Sequence, residues 1–563
     1  APAPAPAPAP AASVSNGIST GNGTPSGNFY EPDAQEAERR NKMVAQALAE
    51  EKADFRRQVM ATATPGKADE KPPPVQAEPA VAAASVSSPT TPVLLTSSGK
   101  SKQMVSLISQ LRDEAAEARE QAAVELLNLS NDDDQHGAIV AAGGLNPLIA
   151  LLTDGSSATR ETAVAALGNL ALNEGSQRAV VGAGALPSLI SLLQEGSAVG
   201  KERAAAALGN LASDEEIGLE IITAGGLSPL ISLLKGGSAE GKERSATALM
   251  HLSCNPESGT AISAAGGLPP LVKLLREGSI DGKAGAAGAL GNLALDDPKQ
   301  VVASGAVPPL VTLLQSNDAE CVDMALVAIV NLSGDLQSAR AIVSAGALPP
   351  LTALLRDGEA EGKERAAAAL VHISSDNADR GGIVAAGALQ PLLALVTDGS
   401  PLAKDRAAVV MLNLALVEEN RQSLVKAGAL APLVRLLGDG SAESKANIAG
   451  VLQILTLSDQ PVGGSASGGN LAIQAGALEP LVTLLRAGSA VGKERAAATL
   501  HNIARNAEHH AEIIAAGALP ALIALLGGVK KTASRNFAAA ALHQMSNTRE
   551  VMEAVVAAGY ELE

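Results

Sequence analysis

Gly236, Gly241 and Lys242 stand in the order G-x-x-x-x-G-K, the spacing of a loop that cradles phosphate. Such a loop needs free backbone N–H groups, a Lys that reaches the phosphate and a hydroxyl on the next residue to hold magnesium. Glu243 occupies that last position, and its carboxylate would face the phosphates. The phrase also recurs as EGSAVGKERAAAAL from Glu195, EGSIDGKAGAAGAL from Glu277, DGEAEGKERAAAAL from Asp357 and AGSAVGKERAAATL from Ala487. One chain does not need so many ATP sites, so the phrase reads as a turn joining two helices of a repeated unit. The seven histidines are His136, His251, His372, His501, His509, His510 and His543. His509, His510 and Glu512 lie close together as metal ligands do, but they begin a first helix whose equivalents are ordinary polar residues. A solvated helix start is expected there instead. No catalytic constellation emerges, so the expectation is a protein that is not an enzyme and uses no cofactor or metal.

Composition narrows the reading further. There is no Trp, with two Tyr and three Phe, and no Phe or Tyr occurs from Ser101 to Asn536. A core without rings must be filled by Ala, Leu, Ile and Val, which suits closely packed helices. The formal net charge is −17, and residues 1–100 hold 9 bases against 10 acids, leaving −16 on the rest. Such acidity opposes general nucleic-acid binding, and the lack of ring platforms opposes single-strand binding. Cys254 and Cys321 recur nowhere in the pattern and read as small buried fillers in a reducing compartment. No apolar run approaches a membrane span and no signal sequence opens the chain. The expectation is a soluble intracellular protein, cytoplasmic, with the nucleus not excluded.

Residues 1–100 read as mostly disordered, from APAPAPAPAPAAS to the stretch KPPPVQAEPAVAAASVSSPTTPVLLTSSGK, because proline and small residues prevent a packed core. A helix is expected at 33–60, with Val44, Leu48, Phe55 and Val59 on one side. From Ser101 a single unit repeats. Its marker glycine falls at Gly143, Gly184, Gly225, Gly266, Gly305, Gly346, Gly387, Gly428, Gly476 and Gly517, at intervals of 41, 41, 41, 39, 41, 41, 41, 48 and 41. Periods of this size mean a helical solenoid, in which stacking makes a continuous core.

The unit Ser176 to Asp214, SQRAVVGAGALPSLISLLQEGSAVGKERAAAALGNLASD, divides into three helices. A short one ends near Ala183, Gly184 turns the chain, Pro187 begins the second, and the third runs from about Gly200 to Ala212. Ser197 is placed to cap the third, in which Ala204, Ala207, Leu208 and Leu211 form one buried face. The text AGALPPLTALLRDGEAEGKERAAAALVHIS, Ala345 to Ser374, and its sister copies resemble the armadillo-repeat family over residues 101 to 559. The wording is especially similar to the armadillo arrays of plant U-box ubiquitin ligases, but no U-box is recognisable in residues 1–100. The expected architecture is all-α: a right-handed α-solenoid, or superhelix, of about ten to eleven armadillo repeats of three helices each. Residues 101–136 form an N-terminal cap repeat, 137–548 the repeats and 549–563 the C-terminal end.

One polar position recurs inside the apolar third helix: Asn128, Asn169, Asn210, His251, Asn292, Asn331, His372, Asn413 and Asn502, with Ile454 and Gln544 breaking the series. An amide beside a core stripe needs partners, and a neighbouring backbone group that stabilises the stack is one answer. The family resemblance implies another, that the position lines a concave groove and grips the backbone of an extended ligand. Seven residues earlier stand Arg203, Arg244, Arg365, Arg406 and Arg495, where the helix dipole disfavours cations. They either pair with acids such as Glu202 or Glu243 of adjacent repeats or face an acidic ligand. Importin-type arrays carry Trp four residues before the Asn, whereas this chain has Ala165, Ala206, Thr247, Gly288, Val327, Ala368, Val409, Gly450 and Ala498. Recognition of classical nuclear import signals is therefore not expected, and an acidic or amphipathic protein segment fits better.

The expected function is a non-catalytic protein-protein interaction scaffold. The alternatives are a structural subunit of a large assembly and the substrate-recognition part of a ubiquitin-ligase complex. Two irregularities remain: the insertion after Leu457, read as a contact loop or a harmless bulge, and the glycines Gly285, Gly288 and Gly291, which lower helix propensity and suggest a soft joint.

Overall fold

Ten glycines decide where the chain turns. Each of the marker glycines from Gly143 to Gly517 has φ between +75° and +87°, the left-handed region in which a side chain is strained. The sequence expectation is met at all ten positions. The computed structural model describes residues 97–557 except 114, 458–460, 463–465 and 528–531, and for 97–103 and 461–462 the backbone alone. The helix expected at 33–60 lies outside the described residues, all of which belong to one unit, Phe55–Glu563.

In the unit around Gly184 the helices are Glu174–Gly182, Ala185–Glu195 and Ala198–Leu211. The third begins two residues earlier than expected because Ser197 caps it, its hydroxyl accepting from the Gly200 N–H at 3.0 Å. Ala204, Ala207, Leu208 and Leu211 are buried as expected. Third helices pack on one another in chain order, from Ala116–Ser130 through Ala533–Gln544, and the apolar core runs without interruption from Met104 to Val555. No unit has an inside of its own, so the architecture is an α-solenoid held by nearest-neighbour contacts.

Small residues set the spacing of that row. An added Cβ would lie 3.2 Å from the Ala248 Cα at Gly209 and 3.2 Å from the Ala328 Cα at Gly291, so glycine allows close approach of adjacent helices. Gly285, Gly288 and Gly291 all lie in one unbroken helix, Ile280–Asp296, which at 17 residues exceeds its sister helices in length. All three face residues of the neighbouring third helices. The 39-residue interval has a separate cause: Asp297 ends this helix and its side chain caps the next, Pro298–Ala303, only six residues long. In the insertion, Pro461–Val462 pairs antiparallel with Ala466–Ser467, and Ser467 caps the helix Gly468–Gln474. Cys254 and Cys321 are buried and free. Burial pushes the Cys321 thiol up to about 11, so it stays protonated, and its Sγ–H donates to the Ile280 carbonyl. Among the described residues no single helix is long and apolar enough to cross a membrane.

Candidate functional site: the row of third helices

The recurring Asn/His position is occupied within the stack. Asn210 donates to the Gly168 carbonyl at 3.0 Å, Asn331 to the Gly291 carbonyl at 3.0 Å, Asn292 to the Met250 carbonyl at 3.1 Å and Asn502 to the Gln453 carbonyl at 3.0 Å. His251 makes the same bond through Nδ1–H to the Gly209 carbonyl at 2.7 Å. Three others reach a hydroxyl of the preceding unit: Asn169 to Ser130, His372 to Ser333 and Asn413 to Ser374. Asn128, in the first unit of the row, is exposed and makes no such bond among the described residues. His251, Asn292, His372, Asn413 and Asn502 are buried, while Asn169, Asn210 and Asn331 remain half-exposed. Asn169 uses its amide nitrogen twice, on Ser130 and on Asn131 Oδ1. Asn210 and Asn331 each make one bond, which orients the amide and leaves its oxygen and second N–H without a partner among the described residues.

The arginine stripe is engaged in the same backward direction. Arg203 donates to the Glu161 carbonyl at 2.8 Å, Arg406 to the Glu364 carbonyl at 3.0 Å, and Arg495 to the Ala446 carbonyl and Asn447 Oδ1 at 3.1 Å each. Arg365 pairs with Asp323 at 2.6 Å and Glu361 at 2.5 Å. Arg244 is the exception, 52% exposed and, among the described residues, paired only with Glu240 of its own helix at 3.3 Å. Four of the five cations therefore brace adjacent units, and an acidic ligand would have to displace bonds already made. Such a bond contributes about 1.5–3 kcal/mol when one partner is charged.

A further rung escaped sequence reasoning. The capping serine of one third helix donates to an acid of the preceding third helix, 36 residues back: Ser197 to Glu161 at 2.6 Å, Ser400 to Glu364 at 2.8 Å and Ser441 to Asp405 at 2.5 Å, with Ser238 to Glu202 and Ser279 to Glu243 alike. The G-S…G-K-E-R phrase is thus a clamp: Ser and Arg reach back, and Glu receives from the next unit. First helices add a bond six residues long to the end of the preceding third helix. His136, Gln177, Arg380, Arg421 and His510 donate to the carbonyls of Ser130, Ala171, Ser374, Ala415 and Ala504. Because these residues differ in type, no identity pattern reveals their shared role.

His509 and His510 are buried, which corrects the expected solvated helix start; His509 faces Glu512 at 3.3 Å. No group of three or more His, Cys, Asp or Glu side chains among the described residues is placed to hold a metal. Burial lowers the pKa of His251 and His501, keeping both rings neutral near pH 7.

Comparison with known proteins bears on this geometry. Residues 132–172, 173–213, 260–295, 296–334, 337–375, 418–457 and 471–505 match the armadillo/β-catenin-like repeat. An engineered protein of known crystal structure is 32% identical, with a TM-score of 0.65, over 71% of this chain and 98% of that chain. The chain belongs to the armadillo-repeat family. A designed armadillo repeat protein is 31% identical over 41% of this chain and 99% of its own length, with a TM-score of 0.40. No curated protein matches. The armadillo match leaves 214–259 and 376–417 unassigned, yet both hold three helices and a left-handed glycine, Gly225 or Gly387, like their neighbours.

Proposed function

We propose that this armadillo array is a non-catalytic scaffold that holds a partner polypeptide along its row of third helices. The observation that carries the reading is the state of Asn210 and Asn331, whose amides are fixed by one bond each and still half-exposed. A polar group held in place by its own scaffold binds with less loss of side-chain freedom. Adjacent helices about 8–10 Å apart would match such groups to every two or three residues of an extended chain. The armadillo fold commonly serves protein interaction.

The test uses the full chain with a photoreactive residue at Ala165, Ala206 or Val409, half-buried on the third-helix stripe, or at Ser191, Ser232 or Ala353, exposed on second helices. Cross-links to a discrete partner are expected from the first set and not from the second. Equal yields from the two sets, or yields confined to the second helices, sink the proposal.

A further inference from the structure

The first unit of the row closes its second helix differently from its sisters. Asp113, Glu114 and Ala115 stand where the unit around Gly184 has Glu195, Gly196 and Ser197, so the glycine stop and the capping serine are both replaced. Glu195 ends its helix 15 residues before Asn210, whereas Gln110 ends its own 18 residues before Asn128. The N–H groups of Arg112 and Asp113 bond three residues back, to the Ser109 and Gln110 carbonyls at 3.1 and 3.0 Å, which is a tightened last turn. Between this turn and the second helix of the next unit, Leu145–Asp154, lies a cleft of about 280 Å³. Arg112 and Arg119 line it from the first unit, Asn146 and Asp154 from the next, and the buried side chains of Leu111, Pro147 and Leu151 make its apolar floor.

Arg119 precedes Asn128 by nine residues, about two and a half turns, and so lies on the far side of its helix from the Asn stripe. At the same register Arg160 donates to the Thr153 carbonyl at 2.7 Å and Arg535 to the Leu526 carbonyl at 2.5 Å, each closing the end of its own unit's second helix. Arg119 makes no such bond. Among the described residues neither it nor Arg112 has a side-chain hydrogen bond or ion pair. Two guanidinium groups without acceptors beside an apolar floor select a carboxylate. Asp113 is turned to its own loop, its Oδ1 accepting from the Ala115 N–H at 3.0 Å. Asp154 is the carboxylate in the lining, and it offers an acceptor for a ligand N–H. The volume is at the small end for a ligand pocket, which admits the end of a chain and not a bulky cofactor.

We propose that this cleft captures the carboxy-terminal residue of a partner polypeptide. The terminal carboxylate bridges Arg112 and Arg119, an apolar last side chain covers Leu111, Pro147 and Leu151, and the last backbone N–H donates to Asp154. The site lies off the Asn stripe, and neither it nor the third-helix reading depends on the other.

The probe is a synthetic peptide of Gly and Ser closed by Leu with a free carboxylate, labelled with fluorescein at its amino end and titrated by anisotropy against the full chain at about 0.15 M salt. Parallel peptides end in Leu amide, end in Ser with a free carboxylate, or carry one internal Glu ahead of an amidated Leu. Saturable one-to-one binding is expected for the first peptide. The amide and the internal Glu should bind about tenfold more weakly or less, and the Ser end should fall between. Arg112→Gln and Arg119→Gln should each weaken the first peptide about tenfold, as loss of one charge-assisted hydrogen bond. Arg435→Gln, which removes the same charge from the exposed face of another second helix, should stay within about twofold. Ala150→Glu, at an exposed position of the lining, sets a carboxylate before the guanidinium groups and should abolish the signal while circular dichroism remains unchanged. Equal binding of acid and amide ends, tighter binding of the internal Glu, or equal weakening by Arg435→Gln would overturn the proposal, as would the absence of saturable binding by the first peptide. Cross-links from Ala206 would persist in each of those cases, so the scaffold is tested apart.

Discussion

Asn413 is almost wholly buried, and its amide N–H reaches the Ser374 hydroxyl of the preceding unit at 2.9 Å. Replacing it by Ala removes the donor to that hydroxyl, which keeps only its own bond to the Val371 carbonyl, so Asn413→Ala should lower stability by about 1–3 kcal/mol in urea titration. His251 fills the same position with a titratable ring. Burial lowers its folded pKa, so between that value and its unfolded value of about 6.5 the unfolded chain binds more protons. Its contribution is complete above about pH 6.5 and is lost as the pH falls through the folded value. His251→Asn, which restores the residue used by sister units, should flatten the dependence of the thermal midpoint on pH over that range.

At the level of helices, glycine and arginine do opposite work on one interface. Gly291 lets Ala328 approach, and a Cβ there would meet backbone at 3.2 Å. Gly291→Val must separate two helices, so a loss of about 1–3 kcal/mol is expected by denaturation. Arg406→Glu would set a carboxylate against Glu364, whose carbonyl Arg406 now holds. Helical content should persist while the urea midpoint falls, by about 1.5–3 kcal/mol. The turns between these helices were legible in the sequence because a left-handed backbone demands glycine, so residue type and conformation coincide at all ten positions. The recurrence of Asn was legible too, as a polar residue in an apolar helix. Its partner was not, for the acceptor is a main-chain carbonyl about forty residues back, carried equally by Gly168, Met250 and Gln453. A carbonyl leaves no mark on residue type. The Ser–Glu rung was hidden for another reason, since a capping serine already has an explanation within its own helix.

Across the whole array, the hydrogen-bond ladder passes the insertion without a gap. Asn502 and Arg495 reach Gln453 and Ala446 over 49 residues, where sister pairs span 42. The extra residues therefore leave that contact in place. Deleting residues 458–464 would reduce the 48-residue interval to 41, and stability should stay within about 0.5 kcal/mol.

Where these bonds occur along the row they point the same way round: hydroxyl, guanidinium and amide look back, carboxylate and carbonyl look forward. A polar coupling of this kind joins any copy to any other without redesign, like identical carriages. A gene segment of 41 codons duplicated or lost in register would lengthen or shorten the array by one whole step. Reach along a bound chain is in that sense adjustable by counting, independently of what each step recognises.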